Sequence, residues 1–183
     1  MKTRKIIVTL ALLCGFIASG AAMAAGKEKM YIGLKTGPMD ADITGFDNAW
    51  VAGIYGGYNM LGKDALFEAD LHGGVLAAEA EMNMTISKGD AGAAGDWDIN
   101  NFNVFAAYRH PLSAAFYLKG KAGVAYYNIG TTQPSSSGDV GNNWSLAMGI
   151  GGGWNIGPGS LELEVTTYSS NVLYTSLGFH MTF

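Results

Sequence analysis

The sequence contains few cysteines, few prolines and few basic residues, and these shortages exclude several classes of protein. Cys14 is the only cysteine among 183 residues, so disulfides cannot stabilise the fold. Eleven Lys and Arg stand against fifteen Asp and Glu, which excludes nucleic acid as a partner because phosphate binding needs a basic surface. Four prolines accompany 27 glycines, and helical periodicity is hard to find. Past residue 24, no apolar run reaches the about 20 residues that a transmembrane helix needs.

The first 24 residues have the three parts of a secretory signal peptide. In order, the positive end, the apolar core and the small-x-small cleavage site are residues 2–5, 6–17 and 22–24. A transmembrane helix is the alternative, but Ser19 and Gly20 interrupt the apolar run before it is long enough. The sequence therefore predicts a signal peptide over residues 1–24 and one exported domain over residues 25–183. The eight basic and fifteen acidic residues of that domain give a net charge near −7.

The exported domain alternates apolar residues with small or polar ones, which is the pattern of β-strands whose two faces differ. Turn-forming residues divide it into eight such segments. The predicted strands are residues 30–36, 50–60, 67–86, 102–109, 116–127, 144–156, 161–168 and 173–183. Their connections are alternately short and mostly longer, as in transmembrane β-barrels.

The last eleven residues place apolar side chains on one face and polar or small ones on the other. The apolar face carries Leu173, Leu177, Phe179, Met181 and the terminal Phe183. This segment resembles the closing strand of bacterial outer-membrane β-barrels, in which such a pattern is the signal for the barrel assembly machinery. The resemblance implies that Phe179, Met181 and Phe183 form that assembly signal.

Alternation alone also fits a soluble sandwich or a lipocalin-like barrel with its aromatic residues in the core. The sixth strand argues against this alternative, because its polar face holds only small uncharged residues, which suit the inside of a narrow barrel. The aromatic residues also lie near strand ends, and ten-residue spacings match an apolar band of about 25 Å. We predict the following membrane-interface aromatics: Trp50, Tyr58, Phe116, Tyr126, Trp144, Trp154 and Phe183.

The third predicted strand is irregular. Its alternation shifts by one residue at Gly73-Gly74, which predicts a β-bulge. The strand is then long enough to pass beyond the membrane and project as part of a hairpin. A short helix over residues 76–87 is the alternative, because Ala, Glu, Leu and Met also favour helix.

If the apolar faces point outward, the opposite faces bring four basic and four acidic residues into the barrel. They are Lys35, Glu68, Asp70, Arg109, Lys119, Lys121, Glu162 and Glu164. An isolated buried charge costs several kcal/mol, so we predict a balanced interior network with Arg109 near Glu68 and Asp70. This network either only fills and stiffens the lumen or acts as a gate, in which a rearranged salt bridge opens a thin water path.

The predicted outer loops are acidic, with Lys88 as their one basic residue. The acids are Asp40, Asp42, Asp47, Glu79, Glu81, Asp90, Asp96, Asp98 and Asp139. Such loops form a solvated rim, although they could also hold divalent cations or attract a basic partner. Their spacing does not fit an EF-hand, so we predict no metal site and no cofactor.

An enzyme would need a nucleophile and a base within hydrogen-bond reach. Of the three histidines His72, His110 and His180, two are predicted to face inward, namely His72 and His180. Ser176 shares the face of His180 but lies about 13 Å away along the strand. Cross-strand pairing could still assemble a site, for instance around His72. The expectation is that the protein is not an enzyme.

With the strands placed, the exported domain resembles the small eight-stranded outer-membrane proteins of the OmpA/OmpX and opacity type. The resemblance implies an all-β, eight-stranded antiparallel up-and-down transmembrane β-barrel in the Gram-negative outer membrane, in contact with lipid and lipopolysaccharide. We expect a largely plugged lumen and a structural or surface-interaction role through the outer loops, with a possible surface ligand at the acidic residues. A narrow channel for small solutes and a lipid-modifying enzyme are the alternatives.

Overall fold

The computed structural model describes residues 29–42, 44–63, 65–132, 142–169 and 172–183. The predicted signal peptide lies outside these residues. The strands are β1 (Met30–Ala41), β2 (Ala49–Gly62), β3 (Phe67–Glu68), β4 (Val75–Ser87), β5 (Gly89–Asp90), β6 (Asp96–Pro111), β7 (Phe116–Thr131), β8 (Asn142–Ile156), β9 (Gly159–Ser169) and β10 (Val172–Thr182). In the described ranges, no helix has the length and apolar character to cross a membrane.

The eight long strands form a closed antiparallel barrel. They pair in the order β1-β2-β4-β6-β7-β8-β9-β10, and β10 pairs back to β1. The two-residue strand β3 pairs in parallel with β2, and β5 pairs with β6. Where the ends meet, the N–H of Phe183 donates to the carbonyl of Met30 over 2.7 Å. The predicted all-β, eight-stranded antiparallel barrel is therefore confirmed.

The barrel has two ends, the terminal end and the loop end. The terminal end contains Met30 and Phe183 together with the connections 63–74, 112–115 and 157–158. The loop end, opposite to it, contains the strand ends that lead into residues 42–48, 88–95, 132–141 and 170–171.

Paired residues are strongly staggered around the barrel. We start at Lys35 and move from each residue to its paired residue on the next strand. Through β2 and β4 this path reaches Asn101 on β6. The path in the other direction runs through β10, β9, β8 and β7 and reaches Pro111 on β6. Pro111 is ten residues from Asn101, so the two paths do not meet at the same residue. Such a stagger requires tilted strands, and an eight-stranded barrel is just wide enough for side chains to fill it.

The third wall strand begins later than the sequence predicts. Residues 65–74 connect β2 to β4 and include β3, and the wall strand is β4, which pairs with β2 and β6. The predicted bulge at Gly73-Gly74 is wrong, because left-handed φ angles of 54° at His72 and 80° at Gly73 reverse the chain there. The helix alternative is wrong as well. The end of β4 at Ser87 pairs with Trp50 at the beginning of β2, so β4 does not project beyond its neighbour.

The first strand is longer than predicted. Gly37-Pro38 does not end it, and β1 continues to Ala41. The reason is that Met39 and Ala41 continue the inward alternation and are 0% and 2% exposed, while Pro38 lies on the outward face, half-buried.

The alternation of side chains is clearest on β8. Leu146 and Ile150 are 78% and 70% exposed, whereas Ala147 is 1% exposed. The apolar face therefore points outward and the small face inward. The soluble-barrel alternative is wrong, because it requires Trp144 in the core and that side chain is 72% exposed.

Two glycines on β7 allow a direct test of how closely β7 approaches the backbone of β6. A Cβ on the inward-facing Gly123 would overlap the backbone of Val104 and Phe105, whereas a Cβ on the outward-facing Gly120 would meet nothing within 4 Å. We expect Gly123→Ala to lower the free energy of unfolding by about 1–3 kcal/mol, as overpacking does. Gly120→Ala is the matched control and should change it by less than about 0.5 kcal/mol. Urea titration of both variants in detergent measures the difference, and equal effects would mean that β7 does not approach β6 this closely.

Candidate functional site: the barrel lumen

The loop end of the lumen is closed by an apolar cluster, the outer plug. Its larger members are Met39, Val51, Trp97, Ile99, Phe105, Tyr127, Ile129, Tyr168, Val172 and Tyr174. Trp97 is fully buried and its indole Nε1 donates to the carbonyl of Asp47 over 2.7 Å. The N–H of Asp47 in turn donates to the carbonyl of Asp90 over 2.7 Å, and the Phe46 ring lies 5.9 Å from the Trp97 ring. These contacts hold Phe46 and Asp47 of one loop-end connection and Asp90 of another against the outer plug.

Three asparagines lie between the outer plug and the middle of the lumen. Asn83 Nδ2 and Asn103 Nδ2 both donate to Asn101 Oδ1, over 2.7 and 2.8 Å. Asn83 Nδ2 also lies 3.3 Å from the Tyr168 hydroxyl, and Asn103 Nδ2 lies 3.5 Å from Glu81. This amide layer links the plug to the charged residues below it.

The middle of the lumen is filled by three lysines and four glutamates, the charged belt. The belt consists of Lys35, Glu79, Glu81, Lys119, Lys121, Glu162 and Glu164, each at most 5% exposed. Lys119 Nζ contacts three of the carboxylates: Glu79 at 2.9 Å, Glu162 at 3.2 Å and Glu164 at 3.1 Å.

The other two lysines of the belt are also shared between carboxylates. Lys121 Nζ bonds Glu81 and lies 2.5 Å from Glu164. Lys35 Nζ lies 2.7 Å from Glu81 and 3.5 Å from Glu164. Ligand oxygens of Glu79, Glu81 and Glu164 lie within 4.8 Å of one another, which resembles a cation site. The lysines already neutralise these carboxylates, so the belt supplies its own counter-ions.

The structure places five of the eight predicted interior charges in the belt: Lys35, Lys119, Lys121, Glu162 and Glu164. The prediction is wrong for Glu68 and Asp70, which are exposed in the connection 65–74. Glu79 and Glu81 occupy the interior instead, so their placement in the outer loops is also wrong. The cause is the late beginning of β4, which brings residues 75–87 into the wall in place of residues 67–71.

Arg109 does not contact Glu68 or Asp70, contrary to prediction. Its guanidinium carbon lies 4.0 Å from the centre of the Tyr31 ring, and among the described residues no carboxylate forms an ion pair with it. Tyr31 donates its hydroxyl to Glu79 over 2.6 Å. Arg109 is therefore connected to the belt through an aromatic ring, at the terminal end of the lumen.

Further tyrosines and one histidine close the terminal end. The hydroxyls of Tyr117 and Tyr55 donate to the two oxygens of Glu162, over 2.6 and 3.1 Å. His180 Nδ1 lies 3.2 Å from the Tyr55 hydroxyl. The gap among the belt residues, Tyr55, Ser176 and Gly178 leaves no room for a water molecule.

A serine and a histidine are paired across two neighbouring strands. Ser160 pairs with His180 across β9 and β10, both facing inward. Ser160, however, donates its hydroxyl to Asn155 Oδ1 over 2.8 Å, and the His180 ring is occupied by Tyr55. His72 does not face inward as predicted but is exposed at its turn, and no site forms around it.

Six of the predicted interface aromatics lie on outward positions of their strands, and the seventh, Phe183, directly follows β10. Phe116 stacks on Trp154 at the terminal end, with ring centres 6.0 Å apart, and Tyr126 contacts Trp144 nearer the loop end at 5.1 Å. The Trp50 indole donates to the hydroxyl of Thr36 over 2.9 Å. The remaining members, Tyr58 and Phe183, are half-buried.

The described acids outside the lumen at the loop end are mostly exposed. Asp40, Asp42, Asp47, Asp90 and Asp96 are exposed, and Asp139 lies outside the described residues. Lys88 pairs with Asp98 at 2.8 Å. The hydrogen bond and charge of Asp98 raise the pKa of Lys88. The acidic rim at this end therefore has one described lysine, and it is already paired.

Sequence and structure comparisons agree on the class of protein. The family model of the outer membrane protein beta-barrel domain matches residues 8–179, so the chain belongs to this family and is an integral outer-membrane β-barrel protein. None of the curated proteins matches it in sequence.

Three solved structures share the fold at low identity. Ail, the attachment invasion locus protein of Yersinia pestis, is 17% identical with a TM-score of 0.56, over 86% of this chain and 99% of that chain. Neisserial surface protein A is 12% identical with a TM-score of 0.54, over 84% and 97%. The outer membrane enzyme PagL is 12% identical with a TM-score of 0.52, over 84% and 99%. These likenesses concern the fold alone.

Proposed function

We propose that this protein is a closed outer-membrane barrel that conducts no solute and acts through its loop end. The observation that carries this proposal is the charged belt. With Arg109, four basic residues balance four glutamates. The gap lined by five belt residues, Tyr55, Ser176 and Gly178 is too small for water. Each belt lysine lies within 4 Å of at least two carboxylates, so the ion pairs give the barrel rigidity in place of a pore.

The loop end is the surface that we propose for contact with partners outside the cell. Its exposed aspartates favour a cationic partner, since opposite charges accelerate association between two proteins and like charges disfavour it. A solved complex of Ail, 15% identical with a TM-score of 0.50, contains the heparin analogue sucrose octasulfate, a polyanion. The acidic rim of this chain would repel such a ligand, so we infer the opposite preference here.

Binding to vesicle-embedded protein tests the role of the loop end. Fluorescent polylysine should bind at low salt and heparin should not, and the binding should weaken severalfold between about 0.01 and 0.15 M salt because screening lengths shorten. The variant Asp40→Asn, Asp42→Asn and Asp96→Asn should bind less polylysine. Glu68→Gln with Asp70→Asn removes charge at the terminal end and serves as the control. Heparin binding equal to that of polylysine would contradict the proposal.

We also infer how the outer surface is used in the membrane. Phe179, Met181 and Phe183 would serve as the signal read by the barrel assembly machinery, and the outward position of Phe179, 45% exposed, supports this. Lipid and lipopolysaccharide would contact the aromatic ends of the wall, where Trp and Tyr side chains favour the interface.

We further propose that the protein is not an enzyme. The cross-strand pair of Ser160 and His180 is buried, and its members are engaged with Asn155 and Tyr55. The likeness to PagL concerns the fold. Hydrolysis of phospholipid or lipid A by pure refolded protein would contradict this part.

A further inference from the structure

The turn between β2 and β4 leaves two apolar side chains exposed at the terminal end. Leu66 is 45% and Phe67 58% exposed. The segment is nevertheless held in place. The N–H of Leu66 donates to the carbonyl of Asn59 over 2.9 Å. Phe67, in β3, pairs with Leu61 of β2, and Ala65 is buried. The exposure of these two side chains is thus a feature of an ordered segment.

The register of the strands shows which way Phe67 points. Ala77 on β4 is buried in the lumen, so its neighbour Leu76 lies on the outward face. Leu61 pairs with Leu76 after a register shift in β2, and paired residues project to the same face. Phe67 pairs with Leu61 in turn. Phe67 therefore faces outward, on the side of the barrel that meets lipid.

The strand β3 also fills a vacancy in the wall. β1 begins at Met30, opposite Tyr58, and β3 occupies the place beside β2 beyond that point, at Leu61 and Gly62. Phe67 therefore continues the outward apolar surface on which Met30 is 56% exposed. This surface belongs to the terminal end, where the connections 112–115 and 157–158 are short turns of the kind that face the periplasm in outer-membrane barrels.

We propose that Phe67 inserts into the periplasmic phospholipid leaflet and completes the ring of outward aromatics formed there by Phe116, Trp154 and Phe183. The continuity of this segment with the lipid-facing wall identifies lipid as the occupant. An aromatic side chain at such a depth meets the interface in which the aromatic girdles of outer-membrane barrels lie. The exposed Glu68 and Asp70 then mark where the chain returns to water.

Site-directed labelling tests this contact. Cys14 is the only cysteine, so Cys14→Ser gives a background in which Phe67→Cys, Phe116→Cys and Asp70→Cys each carry one environment-sensitive nitrobenzoxadiazole label. The refolded variants are placed in phosphatidylcholine vesicles with nitroxide-bearing lipid. We expect quenching at position 67 within about twofold of that at 116 and at least about threefold above that at 70, because quenching requires lipid contact at interfacial depth.

Two results would overturn the proposal. One is quenching at position 67 equal to that at position 70, which would place the segment in water. The other is quenching that rises as the protein is diluted in lipid, which would show that a second copy covers the segment. Folding of each variant is checked by its migration on a gel without boiling. Leu61→Cys, at the outward position that pairs with Phe67, replaces Phe67→Cys if the latter does not fold, with the same expected result.

Discussion

Replacing Lys119 with methionine should lower the free energy of unfolding by about 3–5 kcal/mol, because it leaves buried carboxylates without their counter-ion. Lys119 contacts Glu79, Glu162 and Glu164 within 3.2 Å, and its side chain is 2% exposed. Lys119→Met keeps most of the side-chain volume, so the loss reports charge and not a cavity. Urea unfolding in detergent, followed on unboiled gels, gives the difference.

Two further variants separate this effect from a general effect of losing a lysine. Lys88 is paired with Asp98 at 2.8 Å, but the two side chains are 45% and 29% exposed. Lys88→Met should therefore cost less than about 1 kcal/mol. Adding Glu79→Gln to Lys119→Met restores the charge balance of the belt and should recover part of the loss, as expected for coupled neighbours. If Lys119→Met were as mild as Lys88→Met, the belt would not stabilise the barrel.

Trp97→Ala should have an effect of similar size at the loop end. Truncation of a fully buried aromatic residue typically costs about 3–5 kcal/mol, and Trp97 is 0% exposed. The change also removes the indole N–H that holds the carbonyl of Asp47. The connections 42–48 and 88–95 should then be cut faster by protease added outside vesicles.

Trp144→Ala is the matched control for Trp97→Ala, since it removes the same side chain from a position that is 72% exposed. It should destabilise the barrel less and leave the rate of loop cleavage unchanged. Equal destabilisation and equal cleavage in the two variants would mean that the outer plug does not hold the loop end.

Alternation along single strands is enough to predict most of this barrel, because the side-chain period of a strand is a local property. Lys35, Lys119, Lys121, Glu162 and Glu164 can be assigned to the interior in this way, as each lies on a strand with a clear small or polar face. The outward aromatics follow from the same rule.

The errors arise where the answer depends on pairing between strands. Residues 67–71 and residues 75–87 alternate equally well, and only pairing with β2 and β6 decides that the second segment forms the wall. As a result, Glu79 and Glu81 lie inside the barrel, and Glu68 and Asp70 do not. The partner of Arg109 depends on the stagger of the whole barrel, which no single strand reveals. Trp97 is missed for a different reason, since it precedes the predicted beginning of its strand.

Conductance across a planar bilayer tests the closed lumen most directly. Pure protein, shown to be folded by its shifted migration without boiling, is added to a bilayer in which a known porin gives steps under the same conditions. The charged belt, with its gap too small for water, predicts no stepwise currents from this protein. Reproducible steps from the folded protein would contradict the account and show that the belt opens.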